Sequence, residues 1–133
     1  MEKFNKDYEF GKLSEDALYG KLSEYWNDNI KKSKDKFSKY DYAGDRYYYE
    51  LKTRTNFYET YPTTLIAKDK VIIDCEKKQR FLFKFYDGLY YITYGKNKFK
   101  KYRCDIFGRT DRGFDIPKLY YYIPIEDLKK IEF

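Results

Sequence analysis

Apolar residues near the start of the chain recur at the spacing of a helix. Within residues 13–30 an apolar side chain returns every three or four positions, which gives a helix one apolar face. Ser14 is a candidate N-cap, and Glu15 and Asp16 place negative charge in the first turn. The pattern predicts an amphipathic helix over this segment.

From residue 37 the helical spacing gives way to aromatic-rich runs that are typical of strands. Two such runs, residues 37–43 and 46–54, flank the dipeptide Gly44-Asp45. Glycine followed by aspartate favours a two-residue turn between antiparallel strands. The pattern therefore predicts a hairpin whose turn is formed by this dipeptide.

A second hairpin is predicted over residues 80–94, where aromatic and aliphatic runs surround Asp87-Gly88. A second helix is predicted over residues 62–78, beginning at Pro62, with a strand over Val71–Ile73 as the alternative at its end. The remaining predicted elements are a strand within residues 96–107 and a strand over residues 118–131 that breaks at Pro124 and passes into a short helical end. The order helix, hairpin, helix, hairpin, strand predicts a single α/β domain over residues 1–133, with a mixed sheet covered by helices.

Composition narrows the chemistry that the chain can perform. Its 133 residues include 18 Tyr and 11 Phe, and its net charge of +6 favours a polyanionic partner such as nucleic acid. Histidine is absent, which excludes a histidine general base, a Ser-His or Cys-His nucleophile pair and a histidine-ligated zinc. Catalysis would have to use carboxylates, lysine, tyrosine and a hard metal ion.

The two cysteines and the absence of long apolar stretches bear on location. Cys75 and Cys104 are far apart and form no CxxC pair, so we expect reduced thiols in the core. No segment has the pattern of a signal peptide or the length of a transmembrane span. We therefore expect an intracellular protein that is neither secreted nor inserted in a membrane.

A glutamate and a lysine stand two positions apart in the second strand of the first hairpin, although strands disfavour both residue types. With the predicted turn, Asp41 pairs with Tyr48, and alternation then places Glu50 and Lys52 on the same face as Asp41. Asp41 and Glu50 become diagonal neighbours, close enough for one metal ion to bridge their carboxylates. A loop that is one residue longer would break this alignment.

Two carboxylates and a lysine on one sheet face indicate a site for a hard cation such as Mg²⁺, which prefers oxygen ligands. Asp41, Glu50 and the carbonyl of Leu51 can hold it. The ion would lower the pKa of a bound water and neutralise charge on a phosphodiester. Lys52 would position or help to deprotonate that water, or stabilise the phosphorane. The alternative is a solvent-facing strand with cross-strand ion pairs.

The combination of Asp41 with Glu50-Leu51-Lys52, nine residues later on the next strand, resembles the PD-(D/E)XK nuclease superfamily of restriction endonucleases and Holliday-junction resolvases. The chain lacks the proline that gives the superfamily its name, because Tyr40 stands at the position before the first acid. It implies an α/β core with a central mixed sheet of four to five strands flanked by helices. It also implies cleavage of DNA that depends on Mg²⁺, with Mn²⁺ as a substitute.

Family members often add a glutamate from the helix before the hairpin, and this resemblance makes Glu15 a further metal ligand, with Asp16 as an alternative. A glutamate in the first turn is also favoured by the helix dipole alone. Many members pair up to cut both strands, which implies a homodimer.

Basic residues around the predicted site are candidates for contacts with DNA phosphates, which arginine binds in a bidentate manner. The candidates are Arg54 after the catalytic strand, Lys70 on the predicted second helix, and Arg103, Arg109 and Arg112 around a glycine-containing loop. The alternatives are the start of the next loop for Arg54, a solvated helix face for Lys70 and an ordinary basic loop for the last three arginines.

These observations predict a metal-dependent nuclease that hydrolyses DNA phosphodiester bonds, most simply an endonuclease in DNA processing, repair or recombination. The composition and small size suit a viral protein, located in the cytoplasm or at a viral replication site. One alternative is a non-catalytic DNA-binding or virion-associated protein on the same fold. Another is a basic, tyrosine-rich interaction module in which the Glu-Leu-Lys triplet is coincidental.

Overall fold

Two β-sheets and one longer helix make up the part of the chain that the computed structural model describes, residues 15–33, 40–71, 77–107 and 118–133. The helices are α1 (Glu15–Trp26) and α2 (Lys96–Lys100), with 3₁₀ turns at Lys68–Lys70 and Ile125–Asp127. The strands are β1 (Lys31–Lys32), β2 (Tyr42–Ala43), β3 (Tyr47–Thr53), β4 (Thr63–Ala67), β5 (Lys78–Phe85), β6 (Gly88–Thr93), β7 (Arg103–Phe107), β8 (Lys118–Pro124) and β9 (Lys129–Ile131).

The first helix confirms the predicted amphipathic segment but ends earlier, at Trp26. Asn27 takes a left-handed conformation with a φ of 47°, and its amide donates to the Glu24 carbonyl at 3.3 Å. The next amide, that of Asp28, donates to the Ser23 carbonyl at 3.1 Å. This pair of hydrogen bonds is a Schellman motif, which closes a helix and turns the chain away. The predicted N-cap, Ser14, lies outside the described residues.

The larger sheet has six strands in the order β1-β2-β3-β5-β6-β9. Strands β3 and β5 are parallel, and the other neighbours are antiparallel. Helix α1 covers one face of this sheet, where Leu18, Tyr19 and Leu22 pack with Tyr49 and Leu82. The mixed α/β architecture agrees with the prediction, but the sheet has six strands where four to five were expected.

A second, three-stranded sheet in the order β4-β8-β7 covers the opposite face. Ile66 of β4 and Ile123 of β8 pack there against Phe81 and Phe83 of β5. The expected helical cover is therefore present on the α1 side, whereas on this side the described residues form a second sheet. Within the described ranges, neither α-helix has the length and apolar character needed to cross a membrane.

The predicted helix over residues 62–78 is wrong where the chain is described. Thr63–Ala67 form strand β4, which pairs with β8 and buries Thr64 and Ile66 in alternation. A period of two and β-branched side chains suit a strand that packs against a sheet. Pro62 thus precedes a strand, and residues 72–76 lie outside the described part of the chain.

The later predictions are confirmed in outline. Strands β5 and β6 form the expected hairpin, although Phe85 pairs with Gly88, so that its turn is Tyr86-Asp87. The last strand ends at Pro124 and is followed by a 3₁₀ turn, as predicted, and a further strand, β9, then joins the six-stranded sheet. In the segment 96–107, helix α2 precedes the expected strand.

The expectation that both cysteines are core residues is wrong for Cys104, which is an exposed free thiol on β7. All five residues of that strand are exposed, because β7 is the outer strand of the smaller sheet. Cys75 lies outside the described residues.

Candidate active site

A buried aspartate after helix α1 determines where the first hairpin turns. Asp28 Oδ1 accepts hydrogen bonds from the amides of Asp45 at 2.7 Å and Arg46 at 3.3 Å, and its Oδ2 accepts one from the Tyr49 hydroxyl at 2.8 Å. A Cβ at Gly44 would lie only 2.1 Å from Asp28 Oδ2, so the approach requires glycine. The turn is consequently Asp45-Arg46, and the predicted Gly44-Asp45 turn is wrong by one residue.

Moving the turn by one residue shifts the pairing of β2 with β3 by two residues. Because side chains alternate with a period of two, each side chain of the two strands stays on the predicted face of the sheet. The ladder pairs Tyr42 with Tyr49 and Ala43 with Tyr48 and ends at Tyr42, so Asp41 lies just beyond its last pair. The predicted pairing of Asp41 with Tyr48 is therefore wrong.

Strand β2 ends next to this point. Asp41 lies before it, and its amide donates to the Tyr49 carbonyl at 3.2 Å. The next amide on that side of β3, from Leu51, points at the Asp41 side chain and lies 3.5 Å from Oδ2. The Asp41 carboxylate thus lies where main-chain pairing between β2 and β3 ends.

Glu50 is the buried acid of the cluster, with 5% of its surface exposed. Its Oε1 lies 3.1 Å from Lys52 Nζ and 3.6 Å from Lys70 Nζ, while Oε2 is buried without a hydrogen-bond partner among the described residues. Burial raises the pKa of Glu50 above its usual value, and the nearby Asp41 raises it further, although the two lysines act in the opposite direction.

Glu15 lies at the margin of the same cluster, at the exposed start of α1. Loss of hydration raises the pKa of Glu15, and the negative charge of Asp41 raises it further. The neighbouring Asp16 has a structural contact, because its Oδ1 accepts a hydrogen bond from the Tyr42 hydroxyl at 2.7 Å. That contact ties the start of the helix to β2.

Tyr19 is a member of this region that the sequence pattern did not identify. Its ring is stacked on Tyr42, and its hydroxyl is buried without a partner among the described residues. Burial raises the pKa of Tyr19 well above its usual value, with further increases from Asp41, Glu15 and Glu50. Tyr19 lies three residues before Leu22, so helical spacing could have placed it on the apolar face.

The guanidinium of Arg54, a predicted phosphate contact, is half-buried between the sheets. Its Nε donates to Thr64 Oγ1 at 3.3 Å, one terminal nitrogen donates to the Leu65 carbonyl, and the group lies over the Phe83 ring. Burial lowers the pKa of Arg54. These contacts join β3 to β4, and a contact with DNA stays a prediction.

Of the remaining predicted DNA contacts, Lys70 belongs to the cluster at Glu50, Arg103 lies on β7, and the other two lie outside the described residues. Arg103 is exposed on β7, forms an ion pair with Asp105 at 2.8 Å and lies over the Tyr122 ring. Arg109 and Arg112 fall within the undescribed segment 108–117. Their binding to DNA also stays a prediction.

The donor atoms of the cluster suit a hard cation. Among the described residues, no three acidic or other ligating side chains form a ready-made metal cluster, and Asp41 and Glu50 supply two carboxylates. The N–H and C=O of one strand residue point to the same side of the strand. Because the Leu51 amide points at the Asp41 carboxylate, the Leu51 carbonyl also lies on the side of β3 that faces Asp41. Glu50 Oε2, for which the described part of the chain offers no hydrogen-bond partner, is a buried acceptor that a cation would satisfy.

A comparison with family models relates this arrangement to known proteins. The model of a family described as "Phage putative PDDEXK endonuclease" matches residues 11–131, a span that includes Asp41, Glu50 and Lys52. Searches of the curated proteins and of the solved structures found no match. The family match spans nearly the whole chain and agrees with the PD-(D/E)XK resemblance of the first hairpin. The chain therefore belongs to the phage PDDEXK endonuclease family.

Proposed function

We propose that this protein is a metal-dependent endonuclease that hydrolyses DNA phosphodiester bonds. The observation that carries the proposal is the meeting of Asp41, Glu50 and Lys52 at the point where β2 ends, in a chain of the PDDEXK endonuclease family. Mg²⁺ is the proposed physiological cation, with Mn²⁺ as a substitute, because the available donors are oxygen atoms.

Each residue has a distinct role in the proposed reaction. Asp41, Glu50 and the Leu51 carbonyl would hold the cation, which supplies an activated water and neutralises charge on the phosphate when bound. Lys52 extends from β3 on the same face as Glu50, and its ammonium lies 3.1 Å from Glu50 Oε1. From there it can donate hydrogen bonds to the attacking water and to a non-bridging phosphate oxygen.

The surroundings favour this chemistry over a simple surface ion pair. An exposed pair would contribute little and would need no buried carboxylate. Here Glu50 is buried and one of its oxygens is unpartnered among the described residues, which is costly unless a ligand satisfies it. Glu15 would support the bound cation from the helix, directly or through water.

DNA binding itself would draw on the basic surface. The net charge of +6 favours a polyanion, and Arg103, Arg109 and Arg112 are further proposed phosphate contacts. A homodimer, which would allow cleavage of both strands, stays a prediction from the family resemblance.

A plasmid-nicking assay with Mg²⁺ or Mn²⁺ tests the proposal. Wild-type protein should nick supercoiled DNA, and Glu50→Ala and Lys52→Ala should each reduce the rate by about a hundredfold or more. Two exposed residues provide matched controls: Glu24→Ala on α1, and Lys129→Ala, which removes the lysine of another acid-x-Lys triplet. Both controls should retain activity.

Other results would contradict the proposal in distinguishable ways. Nicking that survives the changes at Glu50 and Lys52 would show that cleavage occurs elsewhere or comes from a contaminant. Salt-sensitive DNA binding by a wild-type protein that never cleaves would support the non-catalytic DNA-binding alternative. The absence of both binding and cleavage would favour an interaction module.

A further inference from the structure

A second lysine reaches Glu50 from a different part of the fold. Lys70 is the last residue of the 3₁₀ turn that follows β4, a strand of the smaller sheet, whereas Lys52 lies on β3 of the larger sheet. Its Nζ lies 3.6 Å from the Glu50 oxygen that Lys52 approaches at 3.1 Å. Two ammonium groups therefore share one oxygen of a carboxylate whose other oxygen is unpartnered among the described residues.

The backbone at Lys70 is held in place while its side chain keeps contact with water. Gln79 of β5 is buried, and its Nε2 donates a hydrogen bond to the Lys70 carbonyl at 2.9 Å. The next residue, Val71, packs against the core between the sheets. The Lys70 side chain remains 35% exposed, so the ammonium can change partners without any movement of the backbone.

The charges around Glu50 depend on whether a cation is present. Asp41 and Glu50 carry two negative charges, and Lys52 and Lys70 carry two positive charges, so this group is neutral on its own. A divalent cation held by the two acids would leave a net positive charge and would repel the neighbouring ammonium groups. A phosphodiester is the anion that the proposed reaction brings to this position.

We propose that Lys70 is a phosphate-binding residue of the active site, which neutralises Glu50 in the absence of a divalent cation and binds the scissile phosphate of DNA when Glu50 serves as a ligand. This inference rests on the proposed function. It gives Lys70 a more specific role than a general backbone contact, because the same ammonium competes with the cation and then binds the substrate. Lysine suits this exchange as a mobile point charge.

The first test measures Mn²⁺ binding without DNA, by isothermal titration calorimetry. Lys70→Gln removes the competing charge and should tighten Mn²⁺ binding by about threefold to tenfold, given the partial exposure of the side chain. Lys70→Arg keeps the charge and should bind Mn²⁺ much as the wild type does. Lys68→Gln, on the exposed side of the same turn, is the matched control and should change little.

The second test measures cleavage at saturating Mn²⁺. Lys70→Gln should lower kcat/KM by about tenfold or more, because a charged phosphate contact is lost, while Lys68→Gln stays within about twofold. Tighter metal binding together with slower cleavage is a combination that a merely structural lysine would not produce. Lys70→Met, which keeps the aliphatic stem, serves if the glutamine variant fails to fold.

The outcomes separate this inference from the proposed function. If wild-type protein binds Mn²⁺ and cleaves DNA but Lys70→Gln shows unchanged or weaker Mn²⁺ affinity, or unimpaired cleavage, the role of Lys70 is overturned and the nuclease proposal stands. If wild-type protein neither binds Mn²⁺ nor cleaves DNA, both are overturned.

Discussion

The carboxylate of Asp28 lies against Gly44 so closely that any side chain at position 44 would overlap it. An added Cβ would be 2.1 Å from Oδ2 and 2.9 Å from Oδ1 of Asp28. The same carboxylate holds the amides of Asp45 and Arg46. A contact between the end of a helix and a hairpin turn thus fixes the register of the strand that carries Glu50 and Lys52.

Gly44→Ala should therefore destabilise the protein by about 1–3 kcal/mol, the usual range for overpacking a buried site. Urea unfolding followed by circular dichroism would measure the change. Gly20→Ala is the matched control: Gly20 lies in α1 with no atom within 4 Å of an added Cβ. It should stabilise the helix by about 0.5–1 kcal/mol. Equal effects at the two positions would contradict the role assigned to the Asp28 contact.

Asp28→Asn should cost about 1–3 kcal/mol, because a buried carboxylate loses the charge that strengthens its bonds to the turn amides. Asp45→Asn alters an exposed side chain in the same turn and should stay within about 0.5 kcal/mol. The nicking rate of Asp28→Asn should also fall, since the turn positions β3. A loss of activity without any loss of stability would mean that Asp28 acts on the reaction directly.

The raised pKa of Glu50 predicts a pH-dependent stability. Burial, its largest cause, makes the folded protein bind a proton more readily at Glu50 than the unfolded chain does. The contribution of Glu50 to stability is thus fully present below its unfolded pKa and is lost as the pH rises through the higher folded pKa.

Glu50→Gln, which resembles the protonated acid, measures this effect. The stability of the variant relative to the wild type should increase from about pH 4 to about pH 8 in urea unfolding. A constant difference would show that the lysines balance burial, and a decrease would show that they outweigh it. Mn²⁺ affinity of the wild type should rise over the same range as Glu50 loses its proton.

Arg54→Met distinguishes a structural arginine from a phosphate contact. Loss of the hydrogen bonds to Thr64 and Leu65 should destabilise the protein by about 1–3 kcal/mol. Arg103→Met, at an exposed position, should change the stability far less than Arg54→Met does. If Arg54→Met instead weakens DNA binding and leaves the stability unchanged, the main role of Arg54 is the predicted contact with a DNA phosphate.

Local patterns in the sequence predicted α1 and the hairpin of β5 and β6, because each depends on neighbours within a short segment. Alternation also placed Glu50 and Lys52 on a common face, as their contact of 3.1 Å requires, although the assumed turn was wrong. The error was harmless because moving a two-residue turn by one position changes the pairing by two residues, and side chains alternate with a period of two.

The remaining features depend on contacts that no short segment contains. The turn is set by Asp28, seventeen residues before Asp45, and the sequence pattern gives no sign of this. Strand β4 was predicted as a helix because Pro62 suits a helix start, whereas pairing with β8, far along the chain, decides the structure. The sequence placed Lys70 among the basic residues around the site, but the misplaced helix gave no reason to expect its ion pair with Glu50.

Strand β2 contains only two residues, and this brevity has a consequence for engineering. A longer β2 would pair its main chain with the Leu51 amide and carbonyl and would strengthen the sheet, but it would also close the edge at which Asp41 meets β3. Selection for heat resistance alone should therefore favour variants that lengthen this ladder and lose the cation site, whereas selection for cleavage should keep the ladder short.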